Sequence, residues 1–147
     1  MTPRILVLCT ANSARSQMAE GLFREALGRR FEIHSAGARP SFVRPEAIAV
    51  MAELGIDLST HRSKSLDEFL ATEFRYVVTV CDHARDACPH FPGLAERIHW
   101  SLPDPAAVQG PEEDRLAAFR QVRDQLRALI QNFAESNASH SSCTGRA

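Results

Sequence analysis

Cys9-Thr10-Ala11-Asn12-Ser13-Ala14-Arg15-Ser16 places a thiol, a guanidinium and hydroxyls within one short stretch. It follows the apolar run Ile5-Leu6-Val7-Leu8, which reads as a buried strand, and it leads into a helical pattern. Where a strand gives way to a helix, successive backbone N–H groups can converge on one anion. The helix N-terminus adds free donors and a positive dipole. Arg15 offers a planar fork for two oxygens of a phosphate-like group. The same field favours the thiolate of Cys9, the reactive form of that residue. Ser13 and Ser16 are placed to donate a hydrogen bond to the sulfur. Asn12 and Ala11 fill a tight turn that calls for left-handed backbone angles, which Asn tolerates. The chemistry implied is a nucleophile at the base of an oxyanion cradle, whose candidate residues are Thr10, Ala11, Asn12, Ser13, Ala14, Arg15 and Ser16. The plainer alternative is an inert cysteine that ends a strand.

A second cluster follows the β-branched run Tyr76–Val80. It reads Cys81-Asp82-His83-Ala84-Arg85-Asp86-Ala87-Cys88-Pro89. Cys81 lies at the carboxyl end of a central strand, as Cys9 does, so parallel pairing brings the two close. Cys88 falls in a polar stretch, loop or short helix, whose length Pro89 and Pro92 limit. Three thiols on one sheet edge suggest a disulfide relay. Two structural cysteines are one alternative. A metal site from Cys81, His83, Cys88 and His90 is another, although the spacing fits no common zinc pattern. His34, His61, His99 and His140 show no ligand spacing and read as surface or hydrogen-bonding residues. Asp104 in Leu102-Pro103-Asp104-Pro105 follows a further strand, on the same edge. It can protonate a leaving oxygen if burial or the bound anion keeps it protonated.

These residues need a scaffold. Arg4–Leu8, Phe31–Ser35, Tyr76–Val80 and Arg97–Trp100 read as strands. Ser13–Leu27 reads as a helix with Met18, Leu22, Phe23, Ala26 and Leu27 on one face. Pro45 opens another that ends at Gly55. Ser65-Leu66-Asp67-Glu68 is a capping box for a helix reaching Thr72. Gly110-Pro111-Glu112-Glu113-Asp114 starts a last helix with an apolar stripe from Leu116 to Phe133. Alternating strands and helices predict an α/β fold: three layers, a four-stranded parallel sheet with flavodoxin-like winding, and helices on both faces. Ligands of such sheets bind beyond the carboxyl ends of the strands, where Cys9 sits.

The 147 residues suggest one catalytic domain over 1–135, then a Ser- and Asn-rich flexible tail over 136–147. A formal net charge of −1 with scattered basic residues argues against nucleic acid or an anionic membrane as partner. No apolar stretch has transmembrane length and no signal peptide is recognisable. A cytoplasmic location is therefore expected, with the cysteines starting as thiols.

On these elements the chain resembles the low-molecular-weight protein tyrosine phosphatase superfamily, and within it the thioredoxin-coupled arsenate reductases. The likeness spans about Arg4 to Phe133. It includes Ser16-Gln17-Met18-Ala19-Glu20-Gly21, His34-Ser35-Ala36-Gly37, Val78-Thr79-Val80-Cys81, Cys88-Pro89, and His99-Trp100 with Asp104-Pro105-Ala106. The resemblance implies reduction of arsenate to arsenite for arsenic detoxification, by a monomer that needs no cofactor or metal. Phosphate and sulfate would compete as oxyanions. Cys9 attacks arsenic with Arg15 holding the anion and Asp104 as the acid. Cys81 resolves Cys9, Cys88 resolves Cys81, and thioredoxin, or alternatively glutaredoxin, reduces the final disulfide. The alternative within the family is a phosphatase acting on phosphate monoesters. Against it, Ala106 and Ala107 stand where such phosphatases carry tyrosines, and Cys81 and Cys88 would be idle. The chain departs from family loops at Ala11, usually Gly, and at Ala14, often Cys. Some relatives bind potassium beside the loop. Asn12, Glu20 and Ser35 match three of its ligands, while Lys64 stands at the fourth, so no potassium requirement is expected. Cys143 has no counterpart and reads as a passive thiol.

Overall fold

In a computed structural model, the backbone is described for residues 2–146 and the side chains for residues 2–137. Strands β1 (Arg4–Cys9), β2 (Glu32–Gly37), β3 (Tyr76–Thr79) and β4 (Glu96–His99) form one sheet in the order β2-β1-β3-β4. Every pairing is parallel. This is the predicted α/β architecture, with the strand order of flavodoxin-like winding.

All of β3, and all of β1 after Arg4, is buried. Successive strand side chains point to opposite faces, so both sheet faces are covered at the centre. The register shows what covers each. Ile5 pairs with Tyr76. On that face Tyr76 meets Phe31 and Phe133, and Phe133 meets Phe23, which stacks on Trp100. Leu6 pairs with His34 and Val77, so these share the other face. There His34 meets Phe69 and Phe74, and Phe74 meets Phe91. Helix α1 (Arg15–Leu27) therefore packs on the first face with α4 (Glu112–Arg146), and α2 (Pro45–Ala52) packs against both. Helix α3 (Asp82–Ala87) and the 3-10 turn Leu66–Phe69 belong to the second face.

Several boundaries differ from the sequence reading, for local reasons. Helix α1 begins at Arg15, not Ser13, because Asn12 has φ 50° and Ala14 has φ −130°, ψ −80°. Within it Met18, Leu22, Phe23 and Leu27 are buried, but Ala26 is exposed. Ser65 does cap, accepting from the Asp67 N–H at 3.1 Å, but it starts a 3-10 turn that ends at Phe69. The Glu68 carboxylate that would complete a capping box is held by both nitrogens of the Arg62 fork. Helix α4 is continuous to Arg146, so the backbone shows no break at 136, where the sequence suggests a flexible tail. No proline interrupts that stretch, and a formed helix extends at little cost per residue. The side chains of His140 and Cys143 lie outside the described residues.

Candidate active site

The loop from Cys9 to Ser16 is fastened from outside. Arg39 N–H donates to the Thr10 carbonyl at 2.9 Å, Ser41 N–H to Ala11 at 3.2 Å, and Arg44 N–H to Ser13 at 2.9 Å. Ser63 Oγ also donates to the Ala11 carbonyl, at 2.8 Å. Gln17 Nε2 donates to the Asn12 carbonyl, and Met18 N–H to Ala14. Each carbonyl from Thr10 to Ala14 is thus engaged. The N–H groups of the same residues donate to no protein group among the described residues. Buried amides need partners, so free ones gathered at a cavity make an anion site. That cavity, of about 280 Å³, is lined by Cys9, Thr10, Ala11, Ser13, Ala14 and Arg15. Its rim carries Asp104, Ala106 and Arg44.

Asn12 and Ser16 do not line the cavity; they brace it from behind. Asn12 Oδ1 accepts from Lys64 N–H at 2.8 Å and Gln17 Nε2 at 2.9 Å. That fixes its amide orientation, so Nδ2 donates to Ser16 Oγ at 2.7 Å and Ser35 Oγ at 3.0 Å. Having accepted there, Ser16 has its proton free for Cys9 Sγ, 2.8 Å away. Ser13 makes no such bond; it faces the cavity, which corrects the expectation that both serines reach the sulfur. Ser35 in turn donates to Glu20 Oε1 at 2.5 Å. A directed chain of hydrogen bonds thus connects a buried carboxylate with the Cys9 sulfur.

Burial raises the Glu20 carboxyl, but the Ser35 bond, Lys64, Arg24 and His61 outweigh it and hold the group below its ordinary value. Lys64 Nζ lies 3.4 Å from Glu20 Oε1, so an ammonium sits against this carboxylate. His61 is pushed down, chiefly by burial. The neutral ring is aligned by Gln17 Oε1 at 3.1 Å and Arg24 Nη1 at 3.3 Å. His61 and Gln17, which the sequence reading gave no site role, thus belong to this brace. Gly37 belongs too: a Cβ there would lie 2.5 Å from the Thr10 carbonyl oxygen and 2.8 Å from Asn12 N. Its signal was its place in the His34–Gly37 motif.

The register sets Leu8 beside Thr79, so Cys81 stands level with Thr10. Thr10 Oγ1 lies 3.4 Å from Cys81 Sγ, at the cradle rim. Cys81 is buried and caps α3, its sulfur accepting from Ala84 N–H at 3.4 Å. Asp82 is fastened to His99 Nε2 at 2.9 Å and Ser101 Oγ at 3.1 Å, and these bonds hold its carboxyl low. Thr79 Oγ1 engages the other His99 nitrogen at 2.7 Å. At the far end of α3, Cys88 Sγ makes only a 3.5 Å contact with the Pro89 carbonyl. Burial pushes the Cys88 thiol up despite Arg97 nearby. A cavity of about 100 Å³ separates Cys88 from Val77 and Thr79. The α-helical form resolves the choice between loop and helix.

Arg15 donates to the Leu102 carbonyl at 3.0 Å, linking the cradle to the Asp104 loop. Asp104 caps its own turn through Ala106 N–H at 3.0 Å. It is exposed and lines the cavity opposite the loop. His83 and His90 are exposed, and no group of three metal-ligating side chains gathers among the described residues.

The fold and the loop together define a class: an α/β protein in which a thiol, an arginine and free backbone amides share one small cavity at the carboxyl edge of a parallel sheet. The chain belongs to the family described as low molecular weight phosphotyrosine protein phosphatase, which matches residues 4–141. A curated arsenate reductase of Halalkalibacterium halodurans is 45% identical over 132 residues, covering 90% of this chain and 95% of its own. A structure titled as an arsenate reductase in oxidized state superposes with TM-score 0.79 at 30% identity, covering 92% of this chain and 98% of its own. The low molecular weight protein tyrosine phosphatase of T. tengcongensis superposes with TM-score 0.75, also at 30% identity, covering 92% and 99%. The backbone alone does not separate the two activities. No described helix is long and apolar enough to cross a membrane.

Proposed function

We propose that the chain is an arsenate reductase working through Cys9, Cys81 and Cys88. The observation that carries this reading is Cys81 at the cradle rim, 3.4 Å from the Thr10 hydroxyl. A phosphatase needs no second thiol there. The kinship with curated arsenate reductases points the same way.

Arsenate enters the cavity and is held by the free loop amides and Arg15. The Cys9 thiolate attacks arsenic, and Asp104 protonates the departing hydroxyl, which leaves as water. The Cys81 thiolate attacks Cys9 Sγ. A Cys9–Cys81 disulfide forms, the As–S bond breaks, its electron pair reduces As(V) to As(III), and arsenite leaves. Cys88 as thiolate then attacks Cys81 Sγ and releases Cys9. Along α3, Cys81 and Cys88 are seven residues apart, about 10 Å at the helical rise. A disulfide needs Cα atoms within about 7 Å. Helix α3 must therefore unwind. Its N-terminal end is fastened through Asp82 to both His99 and Ser101, whereas past Cys88 a single exposed bond from Arg97 to the Pro89 carbonyl must be released, so unwinding starts from Cys88. A thioredoxin dithiol reduces the resulting Cys81–Cys88 disulfide. The setting is the cytoplasm, where thioredoxin is kept reduced, and the chain acts as a monomer. Lys64 supplies a tethered cation beside Glu20, so turnover is independent of potassium.

The test is arsenate-dependent NADPH oxidation coupled through thioredoxin and its reductase. Wild type turns over, whereas Cys9→Ser, Cys81→Ser and Cys88→Ser do not sustain turnover. Rapid hydrolysis of p-nitrophenyl phosphate without arsenate turnover would favour the phosphatase.

A further inference from the structure

The cradle contains a second guanidinium that the relay does not use. Arg44 lines the same cavity as Cys9, Arg15 and Asp104. It is the N-cap residue of α2, its φ of −65° and ψ of 134° turning the chain into Pro45. Its own N–H donates to the Ser13 carbonyl at 2.9 Å, so its backbone moves with the loop. The guanidinium lies over the Phe42 ring, 5.2 Å from the centroid.

Many of the long basic side chains are neutralised. Arg24, Arg62, Arg115, Arg120 and Arg123 each pair with a carboxylate. The carboxylate nearest in sequence to Arg44, Glu46, is taken by Arg115 at 3.1 Å. No carboxylate pairs with Arg44 among the described residues, and its Nε is buried without a hydrogen-bond partner. The Nη groups make no hydrogen bond among the described residues either, and they are the donors Arg44 can offer at the cavity it lines.

We propose that Arg44 is a second oxyanion-binding residue, one that makes this site selective for free, doubly charged tetrahedral oxyanions over their esters. The loop amides and Arg15 hold the inner oxygens. Arg44, at the rim, meets the oxygen directed outward. In the free anion that oxygen is the small hydroxyl, open to accept from the guanidinium; in an ester it carries an organic group that crowds the rim and makes it the poorer acceptor. The proposal deepens the oxyanion-reductase reading and rests on the cradle, not on the thiol relay.

The experiment is isothermal titration of the full chain with inorganic phosphate, which needs no turnover. Arg44→Gln is expected to weaken phosphate binding about tenfold, the size of one charge-assisted hydrogen bond at a partly open site. Arg44→Lys should recover part of the loss, because charge remains while the fork is gone. In turnover, KM for arsenate should rise about tenfold at nearly unchanged kcat. The kcat/KM for p-nitrophenyl phosphate should change less than twofold. Phe42→Leu, which removes the ring but not the charge, serves as the control for misfolding and should stay within threefold of wild type. Phosphate affinity within twofold of wild type in Arg44→Gln would overturn the proposal. So would equal losses for arsenate and the aryl ester. Failure of arsenate turnover in wild type, with phosphate binding still sensitive to Arg44, would sink the reductase reading and leave this one standing.

Discussion

The oxyanion loop and helix α3 both carry cysteines at the carboxyl edge of one sheet, yet they are built in opposite ways. In the loop every carbonyl from Thr10 to Ala14 has a partner, and Asn12 alone ties together Ser16, Ser35, Gln17 and Lys64. In α3 only Ala84 is buried, and its far end is held by a weak Cys88 sulfur contact beside a cavity and by one exposed bond from Arg97 to the Pro89 carbonyl at 2.8 Å. One region is fixed so that its unpaired amides hold a set geometry. The other is loosely held, as local opening requires. An oxyanion is bound by preorganised dipoles, whereas a disulfide relay must carry a thiol across several ångströms.

The contrast is broken most severely at Gly37. Gly37→Ala drives a Cβ into backbone atoms of Thr10 and Asn12 that have no room to retreat. Overpacking of this kind costs roughly 1–3 kcal/mol or more, so phosphate binding should fall about a hundredfold. Titration calorimetry measures it, and affinity within threefold of wild type would show the loop to be compliant.

Asn12→Gly comes next. It keeps the backbone freedom needed at φ 50° but strips the amide that orients the network. Leaving buried partners unsatisfied costs roughly 1–3 kcal/mol, so kcat/KM for arsenate should fall on the order of tenfold or more. Tm should drop by several degrees, at about 2–4 °C per kcal/mol for a chain of this size.

The opposite behaviour is expected of Ala87→Gly in α3. Gly costs a helix about 1 kcal/mol relative to Ala. Because α3 opens on its own, Tm should move by less than about 2 °C, and formation of the Cys81–Cys88 disulfide should quicken a few-fold. A large loss of Tm, or a slower relay, would mean that α3 is as integral as the loop.

The smallest effect is on pH dependence. His61 and Glu20 both have folded values below their ordinary ones. The unfolded chain therefore takes up protons first, and stability falls as pH falls. His61 sets the decline that begins below about 6.5, its ordinary value, and Glu20 adds to it below about 4.5. His61→Gln should flatten the Tm-against-pH curve between pH 7 and 5.5. An unchanged curve would place the sensitivity elsewhere.

The strands and the cradle were legible because each rests on local signals: apolar runs for β1 and β3, and a thiol, guanidinium and hydroxyl at fixed spacing. The parallel sheet followed from alternation, and with it the placing of Cys9 and Cys81 at the same edge of neighbouring strands. Arg44 was not legible, because its role comes from the β2–α2 connection folding over the loop, and a lone arginine before a proline announces only a helix start. The brace from His61 and Gln17 was hidden for the same reason, since both acquire meaning through residues 44 or 45 positions away. Ser13 was misread because its neighbour Asn12 turns left-handed, which sends adjacent side chains to opposite sides of the loop. The capping box misled because Arg62 competes for Glu68.

The central claim is that a fixed cradle hands its oxidation to a moving arm. It is tested most directly by mapping disulfides after fully reduced protein meets arsenate with no thioredoxin present. Peptide mass spectrometry should find a Cys81–Cys88 bond and one arsenite released per chain in the wild type, and a trapped Cys9–Cys81 bond in Cys88→Ser. Arsenite release with Cys81 and Cys88 both still reduced would contradict the account.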